Sequence, residues 1–391
     1  MFTKRKRIFL DYAATTPIDK RVERVMKLFM RDVFANPSSP HTEGLGAKKY
    51  LLQAKEDLAR IAQIKDSEII FTSGGTESVN LAIIGIARKV KGKISKPHII
   101  TTNIEHPAGL KSCEQLEKEG FDVTYLAVNE EGRISASDVR DAIRKETVLI
   151  SVMLVNNEIG TILPIREISR ELKIWKRENG RGEHDGPYFH TDACQAPSYL
   201  DINLNKLGVD ALSIDGTKIY GPKGTGALLI RSHVPIQNIM YGGEQSRGFR
   251  PGTENIPGII GLVEAMKIAD MNREEENERL KELQKYFFER IVEIDGVIIN
   301  GDIKRRLVNN INICIPNLNA EFAVIQLDEK GIACSSASAC SNLSDGSSRV
   351  IQALGNGCEK SSLRFSMGRR TKRKDIDSVM KALLDITIKK S

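Results

Sequence analysis

The chain has 391 residues, 40% of them apolar and 28% charged, which is a globular balance and excludes wholesale disorder. At roughly 150 residues per domain, this length predicts two or three domains with a core that needs no covalent staples. The net charge is +7, aromatics are only 5%, and no apolar run approaches the roughly 18 residues of a membrane helix, so neither a nucleic-acid module nor a membrane span is expected.

The chain opens on the basic run Lys4-Arg5-Lys6-Arg7, with no signal-peptide core behind it, which predicts a cytoplasmic protein. This run and the one from Arg369-Arg370 through Lys374 read as solvated surface, with a weak RNA contact as the lesser reading. Thr16-Pro17 reads as a helix cap and a first-turn proline, followed by Val22, Val25, Met26 and Phe29 at helical spacing. A second helix is predicted over 43–62. Short strands and helices then alternate: strands at 68–72, 98–102, 123–126, 148–155, 188–191, 209–214 and 227–230, and helices at 75–87, 108–119, 137–144 and 164–176. Val148 to Val155 is apolar throughout, as in a strand buried on both faces. The pattern predicts an α/β fold, a mostly parallel seven-stranded sheet covered by helices. Residues 179–187 form a polar, glycine-bearing loop, and a long charged helix over about 259–294 leads into a smaller α+β region. The expected division is a large domain over 14–260 and a small domain over 261–391 joined by residues 1–13.

Three stretches carry chemistry. Thr72-Ser73-Gly74-Gly75-Thr76-Glu77 follows a strand and opens a helix, offering backbone N–H groups to an anion; alone, such a turn is weak evidence. Tyr188 to Gln195 puts Asp192 just past an apolar strand, where ligands of open α/β sheets bind, although a lone Asp there is more often a cap. Asp215-Gly216-Thr217-Lys218 delivers a lysine from another strand end, which alone would read as an exposed loop lysine. Together they supply a phosphate cradle, an acid for a protonated ring nitrogen and a Schiff-base lysine, the equipment for pyridoxal phosphate. A fourth stretch, Cys334 to Ser341, sets Cys340 among small residues on a flexible segment. The six cysteines include no C-x-x-C pair, so no zinc ribbon is expected, and their even number does not by itself imply disulfides.

With Leu10-Asp11-Tyr12-Ala13-Ala14-Thr15-Thr16-Pro17, Glu105-His106, Val155 to Gly160, Arg247 to Asn255 and Ser362 to Ser366, the chain resembles a cysteine desulfurase of the class V aminotransferase group over nearly its whole length. The resemblance implies the type I fold of pyridoxal-phosphate enzymes, with a mobile cysteine loop at about 332–350. It implies roles for individual residues. Lys218 matches the Schiff-base lysine, Asp192 the partner of the ring nitrogen, Gln195 the donor to the ring hydroxyl, and His106 the imidazole over the ring. Gly75 and Thr76 match the phosphate cradle, Thr217 a further phosphate ligand, and Thr253 one that reaches across a homodimer interface. Asn157 and Arg364 match the groups that hold the substrate carboxylate, and Cys340 the cysteine that becomes a persulfide. L-cysteine would be converted to L-alanine, and the sulfur would pass to an iron–sulfur scaffold protein or a tRNA-thiolation acceptor. No metal site is expected beyond transient ligation of a cluster by Cys340.

Two residues depart from that pattern. The family typically has Ser and His at the positions of Asp215 and Thr217. An ionised Asp215 beside a phosphate is repulsive unless it turns away, pairs with Arg247, Arg250 or Lys223, or is protonated; turning away or pairing is the expectation. The loop over 179–187 is longer than usual. A selenocysteine lyase, another class V aminotransferase and a degenerate sulfur-transfer platform are the alternative readings.

Overall fold

The computed structural model describes residues 7–92, 94–336 and 347–388. Cys340 and most of the expected cysteine loop therefore lie outside the described residues.

A seven-stranded sheet organises the N-terminal two thirds. Its strands are β2 (Ile69–Thr72), β3 (His98–Thr102), β4 (Asp122–Leu126), β5 (Thr147–Ser151), β6 (Tyr188–Asp192), β7 (Ala211–Asp215) and β8 (Gly226–Ile230). Their order is β2-β8-β7-β6-β5-β3-β4, and only β8 runs antiparallel to its neighbours. Side chains alternate between the two faces as the two-residue period requires. Ile69, Phe71, Ile100, Ile150, Phe189 and Leu229 join one core, whereas Ile70, Ile99, Leu149, Tyr188 and Leu228 join the other. The first core is closed by α1 (Lys20–Arg31), α2 (Thr42–Ala62), α6 (Ile165–Glu178) and the first half of α8 (Ile256–Ile291). The second is closed by α3 (Gly75–Lys91) and α4 (Pro107–Lys118). Two short helices, α5 (Ala136–Ala142) and α7 (Leu204–Leu207), fill the remaining crossovers.

The C-terminal part is built on a four-stranded sheet of β12 (Ser335–Ser336), β13 (Ser362–Ser366), β10 (Asn310–Cys314) and β9 (Ile298–Ile299). It carries α9 (Ala320–Glu329), α10 (Arg349–Leu354) and α11 (Arg373–Ile388). At the other end of the chain, β1 (Ile8–Phe9) pairs in parallel with β11 (Ile332–Ala333). Among the described residues no helix is long and apolar enough to cross a membrane.

Several expectations need correction. Thr16 is not the cap of α1. Asp19 caps it, accepting from Arg21 N at 2.9 Å. Thr16 is buried and instead staples the N-terminal segment under the lysine turn: its hydroxyl donates to Thr217 O at 2.8 Å and accepts from Tyr220 N at 2.8 Å. The strand expected over 148–155 stops at Ser151, because the chain then folds back at Gly160 (φ +73°) and Val155 pairs antiparallel with Ile162. The second basic run is not simply solvated. Arg369 lies 4.0 Å from the Tyr220 ring and bonds Asp19 at 2.7 Å, and Arg373 lies 3.9 Å from the Tyr286 ring. Cys314 and Cys358 form a disulfide with Cα atoms 5.8 Å apart, a pairing that the cysteine count did not imply.

Candidate active site

The cofactor pocket forms where β6, β7 and the turn after β2 end together, at the carboxyl edge of the parallel strands. The turn is specified by glycine. Gly74 has φ +151°, outside the range of L side chains, and a Cβ on Gly226 of β8 would come 2.7 Å from the Gly74 backbone. Close approach of these two backbones sets the N-terminus of α3 beside the end of β7. Gly75 must also lack a side chain, since a Cβ there would sit 2.6 Å from Cys194 Sγ.

Lys218 ends a one-turn 3-10 helix (Gly216–Lys218) that follows β7, and its Nζ donates to Ala14 O at 2.5 Å. Asp192 ends β6, with Oδ1 accepting from Cys194 N at 2.9 Å, and Gln195 donates to Ala13 O at 2.9 Å. His106 caps α4 through Nδ1, which accepts from Ala108 N at 3.1 Å. That bond places the ring proton on Nε2. Burial lowers the His106 pKa, against the pull of Asp192, so the imidazole is held neutral.

Arg364 is 4% exposed on β13, and two of its nitrogens are engaged: Nη1 with Asn157 O at 3.0 Å and Nη2 with Asp11 Oδ1 at 2.9 Å. Its Nε is buried and has no partner among the described residues. Arg364 as a residue lines the pocket, and a guanidinium there suits an incoming carboxylate.

Eight of the expected residues, Gly75, Thr76, His106, Asn157, Asp192, Gln195, Lys218 and Arg364, thus line one pocket of about 220 Å³. Thr217 does not line it; its backbone N–H is taken by Asp215. Thr253 is exposed and lies outside the lining. Asp215 does not turn away, and it pairs with no cation among the described residues. Its Oδ1 accepts from Thr217 N at 2.7 Å and its Oδ2 from Gly75 N at 3.2 Å, so the carboxylate sits in the cradle itself. Of the expected cations, Arg250 pairs with Glu77 and Lys223 donates to Thr16 O.

Other contributors escaped the sequence reading. Cys194 lines the pocket beside Lys218, and burial raises its pKa well above the usual thiol value. Asp11 belonged to a noticed stretch, but nothing in the sequence says that it pairs with a residue 353 positions away. Glu105 is fully buried behind His106 and accepts from Thr102 Oγ1 and Met153 N; burial pushes its pKa up to about 8.

The residues fit pyridoxal phosphate in kind: a lysine at a strand end, an acid for a ring nitrogen, a glycine cradle at a helix N-terminus and an open arginine N–H. The misfit is the Asp215 carboxylate on the Gly75 amide.

Comparison with known proteins agrees with this assembly. The family described as Aminotransferase class-V matches residues 8–379. A protein named cysteine desulfurase IscS from Dictyoglomus turgidum is 43% identical over 384 residues, covering 97% of this chain and 94% of that protein. One of the same name from Methanosarcina thermophila is 42% identical, covering 99% and 93%. Among solved structures, a NifS-like protein superposes with a TM-score of 0.89 at 32% identity, covering 97% of this chain and 99% of that one. A structure described as SspA in complex with cysteine gives a TM-score of 0.79 at 36% identity, covering 92% and 98%.

Proposed function

Because the chain belongs to the class-V aminotransferase family, in its cysteine desulfurase branch, we propose that it is a pyridoxal-phosphate-dependent L-cysteine desulfurase. The observation that carries this reading is the convergence of Lys218, Asp192, His106 and Arg364 on one pocket. The reaction takes L-cysteine and a protein thiol to L-alanine and a protein persulfide.

When bound, the cofactor supplies the electron sink that lets a proton leave the substrate Cα. The chain's own residues do the rest. Arg364 and Asn157 hold the substrate carboxylate and fix which Cα bond faces the cofactor. Lys218 would hold the cofactor, and its Nζ would take the Cα proton. Asp192 would pair with the ring nitrogen and keep it protonated. His106, neutral with its proton on Nε2, donates a hydrogen bond into the pocket. Gln195, three residues past Asp192, would serve the ring hydroxyl, and Gly75 and Thr76 would serve the phosphate, whereas Thr217, outside the lining, is not part of the cradle. The Cys340 thiolate attacks the substrate sulfur; the S–Cβ bond breaks, the carbon fragment leaves as alanine after protonation, and Cys340 keeps the sulfur as a persulfide.

The exposed position of Thr253, away from its own pocket, suits service to the site of a second copy, and a homodimer is part of the proposal. So are a cytoplasmic location and an iron–sulfur scaffold or tRNA-thiolation protein as the sulfur acceptor. The test is incubation with L-cysteine, assayed for alanine and for protein persulfide. Lys218→Ala should abolish both products. Cys340→Ser should abolish the persulfide. Amino transfer to a keto acid with no persulfide in the wild type would refute the reading.

A further inference from the structure

A second cleft lies at the opposite end of the same sheet. It opens where β6 and β7 begin, roughly 15 Å along the strands from Asp192 and Asp215. Its volume is about 290 Å³, near the lower end of small-molecule sites. One wall is a face of α6 with Ser169, Leu172, Lys173 and Lys176 at helical spacing. The other walls bring Arg231 and His233 from the end of β8, and Glu183 and His184 from the loop over 179–187.

The feature that needs explaining is Lys176. It is 5% exposed, which is rare for a lysine without an ion-pair partner. Its one hydrogen bond among the described residues goes from Nζ to Glu183 O at 3.2 Å, and no carboxylate lies within ion-pair distance. The acids around it, Asp210, Asp185 and Glu183, lie beyond ion-pair distance, and Asp210 is engaged elsewhere: Oδ2 accepts from Phe189 N at 2.8 Å and Oδ1 meets His233 Nε2 at 3.1 Å. Burying an ammonium with two protons unmatched is costly. Burial accordingly lowers the Lys176 pKa, with Asp210, Asp185 and Glu183 opposing. Around it stand Lys173, Arg231 and two imidazoles, His184 and His233, stacked 4.2 Å apart. Arg231 is held in place by Glu68 and Asn205. Beside the acids Glu183 and Asp210, the cleft presents the donors of Lys176, Lys173 and Arg231, a set suited to a small anion.

We infer that this cleft is a second ligand site, which binds a phosphate oxyanion, free or as the phosphate of a small organic ester, through Lys176 with Lys173 and Arg231. The bound anion accepts the two spare Nζ protons of Lys176. The open mouth and the stacked imidazoles leave room for a small organic part. The site is separate from the cofactor cradle, at the other end of the strands, and does not depend on the proposed reaction.

The test uses the cofactor-loaded protein, so that the cradle is already filled. Calorimetric titration with inorganic phosphate, and separately with AMP, should each saturate at one site per chain with a dissociation constant below about 1 mM. Lys176→Met should weaken phosphate at least about tenfold while cofactor absorbance and circular dichroism stay unchanged. If Lys176→Met does not fold, the double variant Lys173→Ala/His184→Ala, both exposed positions, should weaken it in the same direction. AMP binding tighter than phosphate and competed by it identifies an ester as the ligand; equal affinities identify the free anion. No saturable heat up to about 10 mM of either probe, or an isotherm untouched in every folded variant, overturns the inference.

Discussion

Replacing Asp215 by serine should tighten cofactor binding. The Asp215 carboxylate accepts from Gly75 N at 3.2 Å and Thr217 N at 2.7 Å, so it occupies one of the donors that the first turn of α3 offers to a phosphate, the Gly75 N–H. A phosphate drawing on the same turn would lie on the order of 5 Å from that carboxylate. At an effective dielectric of about 20, each pair of unit charges at that distance costs roughly 3 kcal/mol. That corresponds to about two orders of magnitude in dissociation constant. Serine removes the charge and can still accept from Thr217 N, so the turn that carries Lys218 keeps its cap. The assay is titration of the cofactor-free protein with pyridoxal phosphate, followed by visible absorbance, for wild type, Asp215→Ser and Asp215→Asn. The two variants should bind about 100-fold more tightly, and added salt should narrow the gap by screening the wild-type repulsion. Equal or weaker binding by Asp215→Ser would refute the electrostatic argument and mean that the carboxylate moves aside when the phosphate arrives.

Arg364→Lys keeps the charge but loses the planar fork, leaving Asp11 and Asn157 O poorly matched; KM for L-cysteine should rise about 10- to 100-fold, for a loss of about 1.5–3 kcal/mol of charged hydrogen bonding, with the melting temperature checked in parallel. Glu105 holds a proton in the native state up to about pH 8, whereas the unfolded carboxyl loses it near 4.5, so stability falls as pH rises across that window. Glu105→Gln keeps an acceptor for Thr102 and Met153 and should flatten the decline in melting temperature between pH 5 and 8; identical slopes would contradict this. His98 and His190, each held between two hydroxyls, are kept neutral by burial, with pKa values lowered to about 4 and about 3. Their contribution is present above pH 6.5 and is lost as pH falls below it, so His190→Asn should reduce the loss of stability between pH 6.5 and 4. The Cys314–Cys358 bridge closes a loop of 44 residues, worth up to about 4 kcal/mol in unfolded-chain entropy. Thiol counting on the unreduced, denatured protein should find four of the six cysteines free, and Cys358→Ser should lower the melting temperature.

Much of the fold was legible along the chain because its causes are local. Apolar alternation with a period of two marked the strands, the 3.6 period marked the helices, and glycine pairs marked the turn before α3. The same logic placed Asp192 and Lys218 at strand ends, and an α/β sheet gathers such ends along one edge whatever the details of packing. Helix starts were less legible. Thr16 has the chemistry of a cap, but its hydroxyl is spent on Thr217 and Tyr220, some 200 residues away, and the capping falls to Asp19. Tertiary structure alone decided what pairs with what across such separations. It tied Arg364 to Asp11 and left its Nε open, and it joined Cys314 to Cys358. It set the Asp215 carboxylate in the cradle, where Oδ2 accepts at 3.2 Å from Gly75 N, 140 positions away. It buried Lys176, whose place in the sequence is that of any surface helix lysine. Local pattern can say that a residue is charged and on a helix; only the fold can say whether water or another chain segment covers it, since burial is set by residues distant in sequence.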